Sequence, residues 1–270
     1  MDPRTLVALF CLIFLSTSCG ADPTPLSVPF SVTAPPLTKP VKVAILDTGL
    51  DLTDPRFSSV VCKEGHATFV GESLKDENGH GTHIAGLIKQ YAGEGDYCLL
   101  IYKYYSPANS GSLNLRNLIK SIEAAVEAGA RVINYSGGGP EFSEDEYLAI
   151  KKAEAAGVLF IAAAGNEGQN IDLVRNYYYP ASYNLTNIVV VGNINDNGKR
   201  FKSSNYGKKV TAWEKGVTVL STLPPSECRG FESFLRGEWQ NGCMGYMTGT
   251  SQSTAIHTGK IVKEMLYVAN

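Results

Sequence analysis

Five continuous apolar runs have the length and composition of strands that are buried on both faces. They are VKVAIL, CLLIYKY, RVINY, VLFIAAA and IVVVG, at 41–46, 98–104, 131–135, 158–164 and 188–192. Runs of this kind are typical of parallel sheets whose two faces are covered by helices. The pattern therefore predicts the central sheet of an α/β protein.

Helical patterns alternate with these strands. Residues 113–129 repeat apolar positions at spacings of three and four and end at a glycine. Residues 143–157 begin with a Ser and carry Glu146 three positions later, as in a capping box. A further helix is predicted to follow Ser251 and to run toward Tyr267. The alternation predicts an open, mostly parallel sheet with helices on both faces, and we find no internal repeats.

The first forty residues differ from the rest. Arg4 precedes the apolar run 6–15 and the small polar stretch 16–20, which predicts a secretory signal peptide over 1–19. The run is about half of the roughly 20 residues that a spanning helix needs, so a permanent membrane helix is disfavoured. Residues 20–40 are rich in Pro, Ser and Thr and are interpreted as a linker, which places the folded domain at 41–270.

Cys19 leaves two interpretations open. Small residues just before a cysteine are typical of a bacterial lipoprotein signal, but the expected Leu stands one position too early, at Leu15. Lipidation of Cys19 and simple cleavage are therefore both retained. Contact with a membrane is expected only through such a lipid, and a single acyl chain would anchor the protein only partly.

Composition narrows the classes of function. The 270 residues carry a formal net charge of −2 and 44% hydrophobic residues, which suits one domain with one sizeable core. Basic residues are scattered and are not interleaved with aromatic ones. We therefore expect no nucleic-acid partner.

Three glycine-rich segments carry the residues of a nucleophilic site. VAILDTGLD, NGHGTHIAGL and MTGTSQSTA contain Asp47, His80 and Ser251, in that order. A serine hydroxyl becomes a good nucleophile at neutral pH when an imidazole takes its proton, and a carboxylate fixes the tautomer of that imidazole. The order Asp, His, Ser differs from that of chymotrypsin-like enzymes and of α/β-hydrolases, and it is the order found in subtilisin.

These motifs, together with INYSGGGP at 133–140 and AAAGNEG at 162–168, resemble those of subtilisin-type serine peptidases, the subtilases. The resemblance spans about residues 41–259, with five motifs in register. It implies a serine endopeptidase that acts through an acyl-enzyme, with Asp47, His80 and Ser251 as its catalytic residues. The expected substrate is an extended peptide or an unfolded protein segment.

The resemblance also assigns roles around the nucleophile. Asn166 and the backbone NH of Ser251 would hold the oxyanion. Ser136, Gly137 and Gly138 would form one wall of the specificity pocket and pair with the substrate as an added strand. Tyr178 aligns with the floor of that pocket, which predicts a shortened pocket that prefers small or medium side chains. The remaining histidines, at 66, 83 and 257, are interpreted as structural or surface residues.

Four cysteines remain once Cys11 and Cys19 are set aside, and four cysteines allow three pairings. The expected fold favours Cys62 with Cys98 and Cys228 with Cys243, because each pair lies in neighbouring segments. Free thiols are disfavoured outside the cytoplasm, and the spacings do not match the CxxC pairs of zinc sites.

No metal or cofactor is predicted. The calcium site common among relatives is not indicated, because its Asp position carries Arg56 here, although a weak calcium site elsewhere stays open. An insertion at 224–245 enlarges the loop before Ser251. The protein is expected to be a monomer that is secreted, periplasmic or lipid-anchored. A catalytically silent binding fold and a transpeptidase remain as alternative functions.

Overall fold

The computed structural model describes residues 39–227 and 243–268. The predicted signal peptide with Cys19, most of the predicted linker, Cys228 and most of the predicted insertion lie outside these residues. The strands are β1 (Val41–Asp47), β2 (Ala67–Thr68), β3 (Tyr97–Lys103), β4 (Val132–Tyr135), β5 (Leu159–Ala163), β6 (Ile188–Ile194), β7 (Ala212–Lys215), β8 (Val219–Thr222) and β9 (Met244–Met247). The helices are α1 (His80–Ala92), α2 (Gly111–Glu127), α3 (Glu144–Ala155) and α4 (Thr250–Val268).

The first seven strands form one parallel sheet, in the order β2-β3-β1-β4-β5-β6-β7. Strands β8 and β9 form a separate antiparallel ribbon. All five strands predicted from apolar runs are present, within two residues of the predicted bounds. The predicted α/β fold with an open, mostly parallel sheet is therefore confirmed.

Two hydrophobic cores lie on opposite faces of the sheet. Alternate residues of β1 divide between them, with Ala44 and Leu46 in one core and Val43 and Ile45 in the other. Helices α2 and α3 cover the first core, and α1 and α4 cover the second. Continuous apolar runs mark the central strands because both faces of each strand are buried. The sheet therefore places its carboxyl ends, with the residues that follow them, at one edge.

Cys62 and Cys98 form a disulfide, with a Cα–Cα distance of 4.9 Å, as the expected pairing had it. It joins the loop after β1 to the start of β3. Because Cys228 is outside the described residues, its pairing with Cys243 stays a prediction. Within the described residues, no helix combines the length and the hydrophobicity needed to cross a bilayer.

The helix over Glu144–Ala155 is capped differently from a capping box. Ser143 Oγ accepts from the backbone NH of Glu146 at 3.2 Å, as predicted. The Glu146 carboxyl does not return to the backbone of Ser143, because it is 3% exposed and lies 2.7 Å from the Tyr183 hydroxyl. That hydroxyl also donates to the Ser143 carbonyl at 2.8 Å. The Tyr183 hydroxyl has one proton but lies near two acceptors, the Ser143 carbonyl and the Glu146 carboxyl. If Glu146 is protonated, its carboxyl can donate to the Tyr183 oxygen while the Tyr183 hydroxyl donates to Ser143, so both hydrogen bonds form.

Two buried groups titrate with opposite effects on stability. Burial raises the pKa of Glu146 to about 7, although its hydrogen bond with Tyr183 opposes the shift. Burial lowers the pKa of His83 to about 4. His83 Nε2 lies 3.1 Å from the carbonyl oxygens of both Val219 and Gly245, so it donates to β8 and to the adjoining β9 while the ring stays neutral.

We predict that Glu146→Gln steepens the loss of stability in acid. Between pH 4.5 and 6.5, folded Glu146 binds more protons than unfolded Glu146, so its contribution to the free energy of unfolding falls as pH rises. His83 binds fewer protons when folded, so its contribution rises with pH over the same window. In the wild type these contributions, each about 1.4 kcal/mol per pH unit, nearly cancel.

The measurement is urea unfolding of both proteins from pH 4.5 to 7, in a Ser251→Ala background that prevents self-digestion. The variant should gain stability with rising pH more steeply than the parent. The same slope in both proteins would show that Glu146 keeps an ordinary pKa in the fold.

Candidate active site

Asp47 and His80 form a pair at the carboxyl end of the sheet. Asp47 is the last residue of β1 and is 5% exposed, and His80 is the first residue of α1. His80 Nδ1 lies 2.8 Å from Asp47 Oδ1 and 3.0 Å from Oδ2. Because a carboxylate can only accept, Nδ1 carries the proton, and Nε2 is left with a free lone pair. The pair has the arrangement of a base and the group that orients it.

The electrostatics of the pair favour a histidine that can hold a proton. Burial alone would lower the pKa of His80, but the charge of Asp47 and its hydrogen bond, with a smaller contribution from Asp76, outweigh burial. The pKa of His80 is therefore raised above its usual value of 6.5. The imidazolium formed by proton abstraction is stabilised in place.

Ser251 is the second residue of α4 and is held against the end of β4. Its hydroxyl donates to the Ser136 carbonyl at 2.8 Å, and the Ser136 hydroxyl donates to the Ser251 carbonyl at 3.2 Å. Both residues and His80 are described, and no hydrogen bond joins Ser251 Oγ to His80. Proton transfer to His80 would need the Ser251 hydroxyl to give up its hydrogen bond to the Ser136 carbonyl. Catalytic hydrogen bonds are often absent or long until a substrate binds.

Two hydrogen-bond donors border the nucleophile. The backbone NH of Ser251 belongs to the first turn of α4, where no carbonyl of the helix can accept from it. Asn166 is exposed and follows β5, and its Oδ1 accepts from the backbone NH of Thr250 at 3.0 Å and from the Thr250 hydroxyl at 3.2 Å. These contacts fix the amide beside the start of α4, with Nδ2 left as a donor. The backbone NH of Ser251 and Asn166 Nδ2 could together bind an oxyanion.

Tyr178 packs between the segment at 136–138, expected to form one wall of the pocket, and the turn that contains Gly165. A Cβ built on Gly138 would lie 2.4 Å from Tyr178 Cε1, and one built on Gly165 would lie 3.1 Å from Cδ2. The backbones of Gly139 and Tyr179 exchange hydrogen bonds of 2.9 and 2.7 Å, which fixes the spacing. The ring thus fills space beneath the strand at 136–139, as a pocket floor would.

A second tyrosine limits the space beside Gly137. A Cβ on Gly137 would lie 3.0 Å from the Tyr104 hydroxyl, and the Tyr104 and Tyr135 rings lie 5.8 Å apart. Sequence reasoning did not include these two tyrosines. Tyr135 stands directly before Ser136 in the motif at 133–140, and Tyr104 follows β3, but the resemblance assigned neither of them a role.

Arg56 lies where the resemblance placed a calcium ligand. Its guanidinium binds the Asp54 carboxylate and donates to the carbonyls of Leu223 at 2.7 Å and Cys243 at 2.8 Å. Leu223 immediately precedes the predicted insertion at 224–245, and Cys243 lies near its end. Within residues 39–227 and 243–268, no group of three or more His, Cys, Asp or Glu could hold a metal ion.

Comparison with known proteins gives consistent matches. A model of the subtilase family matches residues 38–265. The major intracellular serine protease of Bacillus subtilis (strain 168) is 32% identical over 243 residues, which are 83% of this chain and 67% of that protein. An intracellular serine protease of Paenibacillus polymyxa is 35% identical over 205 residues, which are 68% of this chain and 59% of that protein. The aligned part of this chain thus spans only about three fifths to two thirds of these relatives.

Among solved structures, a lanthipeptide protease superposes with a TM-score of 0.71 at 25% identity. The superposition covers 84% of this chain and 73% of that one.

We predict that Asp47→Asn lowers the pKa of His80 by about 1–3 units, because the variant removes the charge and offers an amide that can donate to Nδ1. The chain has four histidines, so an NMR titration of the imidazole signals can follow each one, with His80→Gln to assign its signal. Asp51→Asn, four residues along, is the matched control and should leave the His80 titration in place. An unchanged pKa in Asp47→Asn would contradict the assignment of the pair.

Proposed function

The chain belongs to the subtilase family of serine peptidases, and we propose that it is a secreted or lipid-tethered endopeptidase that cleaves peptide bonds through an acyl-enzyme on Ser251. The Asp47–His80 pair, whose Oδ1 and Nδ1 atoms are 2.8 Å apart, carries this proposal, and Ser251 lies at the start of α4, which packs against the helix of His80. The proposed chemistry needs no cofactor, because a histidine activates the nucleophile.

In the proposed reaction, His80 acts first as base and then as acid. The Ser251 hydroxyl exchanges its hydrogen bond to the Ser136 carbonyl for one to His80 Nε2 and attacks the substrate carbonyl, while its proton passes to Nε2. The oxyanion accepts hydrogen bonds from the Ser251 NH and from Asn166 Nδ2. His80 then protonates the leaving amine, which leaves an ester on Ser251, and a water molecule activated by His80 hydrolyses that ester.

The proposed substrate is an extended peptide or an unfolded protein segment. Ser136, Gly137 and Gly138 would offer backbone groups to it, as a strand added to the end of β4. The lanthipeptide protease acts on peptides, as its name states, and the likeness supports a peptide substrate here. We propose that the protein acts as a monomer.

The proposed location is outside the cytoplasm. The predicted signal peptide supports it, and so does the Cys62–Cys98 disulfide, since disulfides persist mainly in oxidising compartments. The two curated relatives described above are intracellular by name, so location is a property to be measured for this chain rather than transferred to it. Lipidation of Cys19 would add a membrane tether, which mass spectrometry of the mature protein detects.

We predict that a fluorophosphonate adds once to the purified protein and that Ser251→Ala abolishes the adduct. The reagent reacts with a serine whose hydroxyl is activated and whose oxyanion is stabilised. Intact-mass spectrometry reads out the adduct, with Ser253→Ala as a control because Ser253 lies in the same helix turn and should leave labelling intact.

The outcome separates the three candidate functions. A folded protein without an adduct would favour a silent binding fold. Labelling with slow hydrolysis and amine-dependent ligation would favour transpeptidation. Labelling with efficient hydrolysis of peptides supports the endopeptidase.

We predict that Tyr178→Gly widens the specificity pocket. Removing the ring that packs against Gly138 and Gly165 should raise kcat/KM for peptides with Phe at the cleaved position by about tenfold or more relative to Ala. Tyr178→Phe, which keeps the ring, is the control and should keep the wild-type preference. Profiling with a peptide library measures both variants, and an unchanged preference in the Gly variant would sink the idea that Tyr178 forms the floor.

A further inference from the structure

The proposed reaction gives no role to Asp76, a buried carboxylate close to the base, His80. It precedes His80 by four residues, and it is 4% exposed. Its Oδ1 accepts from the Thr48 hydroxyl at 2.8 Å and from the backbone NH groups of Asn78 at 3.0 Å and Gly79 at 2.9 Å. Its Oδ2 accepts from the Thr82 NH at 2.8 Å and hydroxyl at 2.7 Å. A carboxylate that accepts from this many donors is held in one orientation.

These contacts supply the N-terminal cap of α1. The residue at the cap position is Gly79, in a left-handed conformation with φ of 92°, and it has no side chain to accept from the first turn. Asp76 accepts from the Thr82 NH instead, and the Thr48 hydroxyl accepts from the Gly81 NH at 2.9 Å. The donors of the first turn are therefore satisfied from outside the helix. Since His80 begins that turn, the cap sets the position of its ring.

Thr48 joins the cap to the partner of the base. Its backbone NH donates to Asp47 Oδ1 at 2.8 Å, and its hydroxyl donates to Asp76 Oδ1 at 2.8 Å. One residue thus connects the carboxylate that orients His80 to the carboxylate that caps the helix of His80. A shift of Asp76 would move both members of the Asp47–His80 pair.

We propose that Asp76 is a positioning residue for the base: its carboxylate holds the first turn of α1 and, through Thr48, fixes that turn against the end of β1. The role rests on the proposed function, since it concerns the geometry of the same site. Asp76 touches no reacting atom.

The charge of Asp76 also acts on His80. Asp47 and Asp76 both raise the pKa of His80, which burial alone would lower. The other ionisable groups nearby are His83, one turn along α1, and Glu227, whose Cγ lies 3.5 Å from a Cβ built on Gly79. Among the ionisable groups named here, the Asp76 carboxylate is the one that is both buried and hydrogen-bonded to the backbone at the start of α1.

The test compares Asp76→Asn with Glu77→Gln. Both variants remove one negative charge from the same turn, but the Glu77 side chain is 85% exposed, and within the described residues its carboxylate pairs only with Lys103, at 3.4 Å. Asp76→Asn should lower kcat by about ten- to a hundredfold with little change in KM, because the base is misplaced while the substrate strand is intact. It should also lower the pKa of His80 by about 0.5–1.5 units in the NMR titration. Glu77→Gln should change neither quantity.

A second variant keeps the test informative if Asp76→Asn folds poorly. Thr48→Val breaks the link between the two carboxylates and leaves Asp76 bonded to Gly79 and Thr82, so kcat should again fall. A folded Asp76→Asn protein with wild-type kcat and wild-type His80 pKa would overturn the proposal, as would a variant that loses only thermal stability. If the wild type takes up no fluorophosphonate, the proposed function fails, whereas the His80 titration still decides the role of Asp76.

Discussion

The active site depends on a backbone contact between the turn after β1 and the first turn of α1. A Cβ built on Gly81 would lie 2.4 Å from the carbonyl oxygen of Gly49, and one on Gly49 would lie 2.3 Å from that of Leu74. A side chain at Gly81 would push the helix from the turn after β1, and one at Gly49 would displace the loop that carries Leu74. The glycines allow the approach, and the approach brings His80 within 2.8 Å of Asp47. The distance between Asp47 and His80 is thus set by the packing of the backbone, which has far less conformational freedom than a long side chain.

A separate chain of hydrogen bonds positions the nucleophile. The Thr258 hydroxyl in α4 donates to Asn134 Oδ1 at 2.8 Å, and Asn134 Nδ2 donates to the Ser136 hydroxyl at 3.0 Å. Ser136 in turn donates to the Ser251 carbonyl. Because Asn134 and Thr258 are fully buried, these bonds form in a medium where breaking them is costly. Side-chain hydrogen bonds therefore join the helix of Ser251 to the segment expected to bind substrate, and His80 is connected to both because α1 packs against α4 and β1 pairs with β4.

The sequence was most informative where a residue's environment is uniform along an element. The five central strands are buried on both faces, so their apolar runs predicted them within two residues. Strands β7 and β8 alternate partly buried and exposed positions at the margin of the fold, and no apolar run marks them. Glu146 followed the pattern of a capping box, yet its carboxyl is drawn to Tyr183, 37 residues away. The sequence did not point to Asp76 for a similar reason, because its proposed role depends on a hydrogen bond from Thr48, 28 residues earlier. Local motifs predicted Asp47 and His80, which the structure brings together, but not Asp76 and Thr48, which hold the turns around them.

The guanidinium of Arg56 has a consequence for how this surface can vary. By donating to the carbonyls of Leu223 and Cys243, it closes the base of the segment between them with a side chain from a distant part of the chain. The entropic cost of closing a loop grows only slowly with its length. When the two ends of a segment are held together, a change in its length therefore changes the free energy of folding only a little. Residues can then be added, removed or exchanged between these two anchors while β8, β9 and the helix of Ser251 keep their places. The fold can therefore carry segments of different length and sequence between Leu223 and Cys243, near the helix of Ser251.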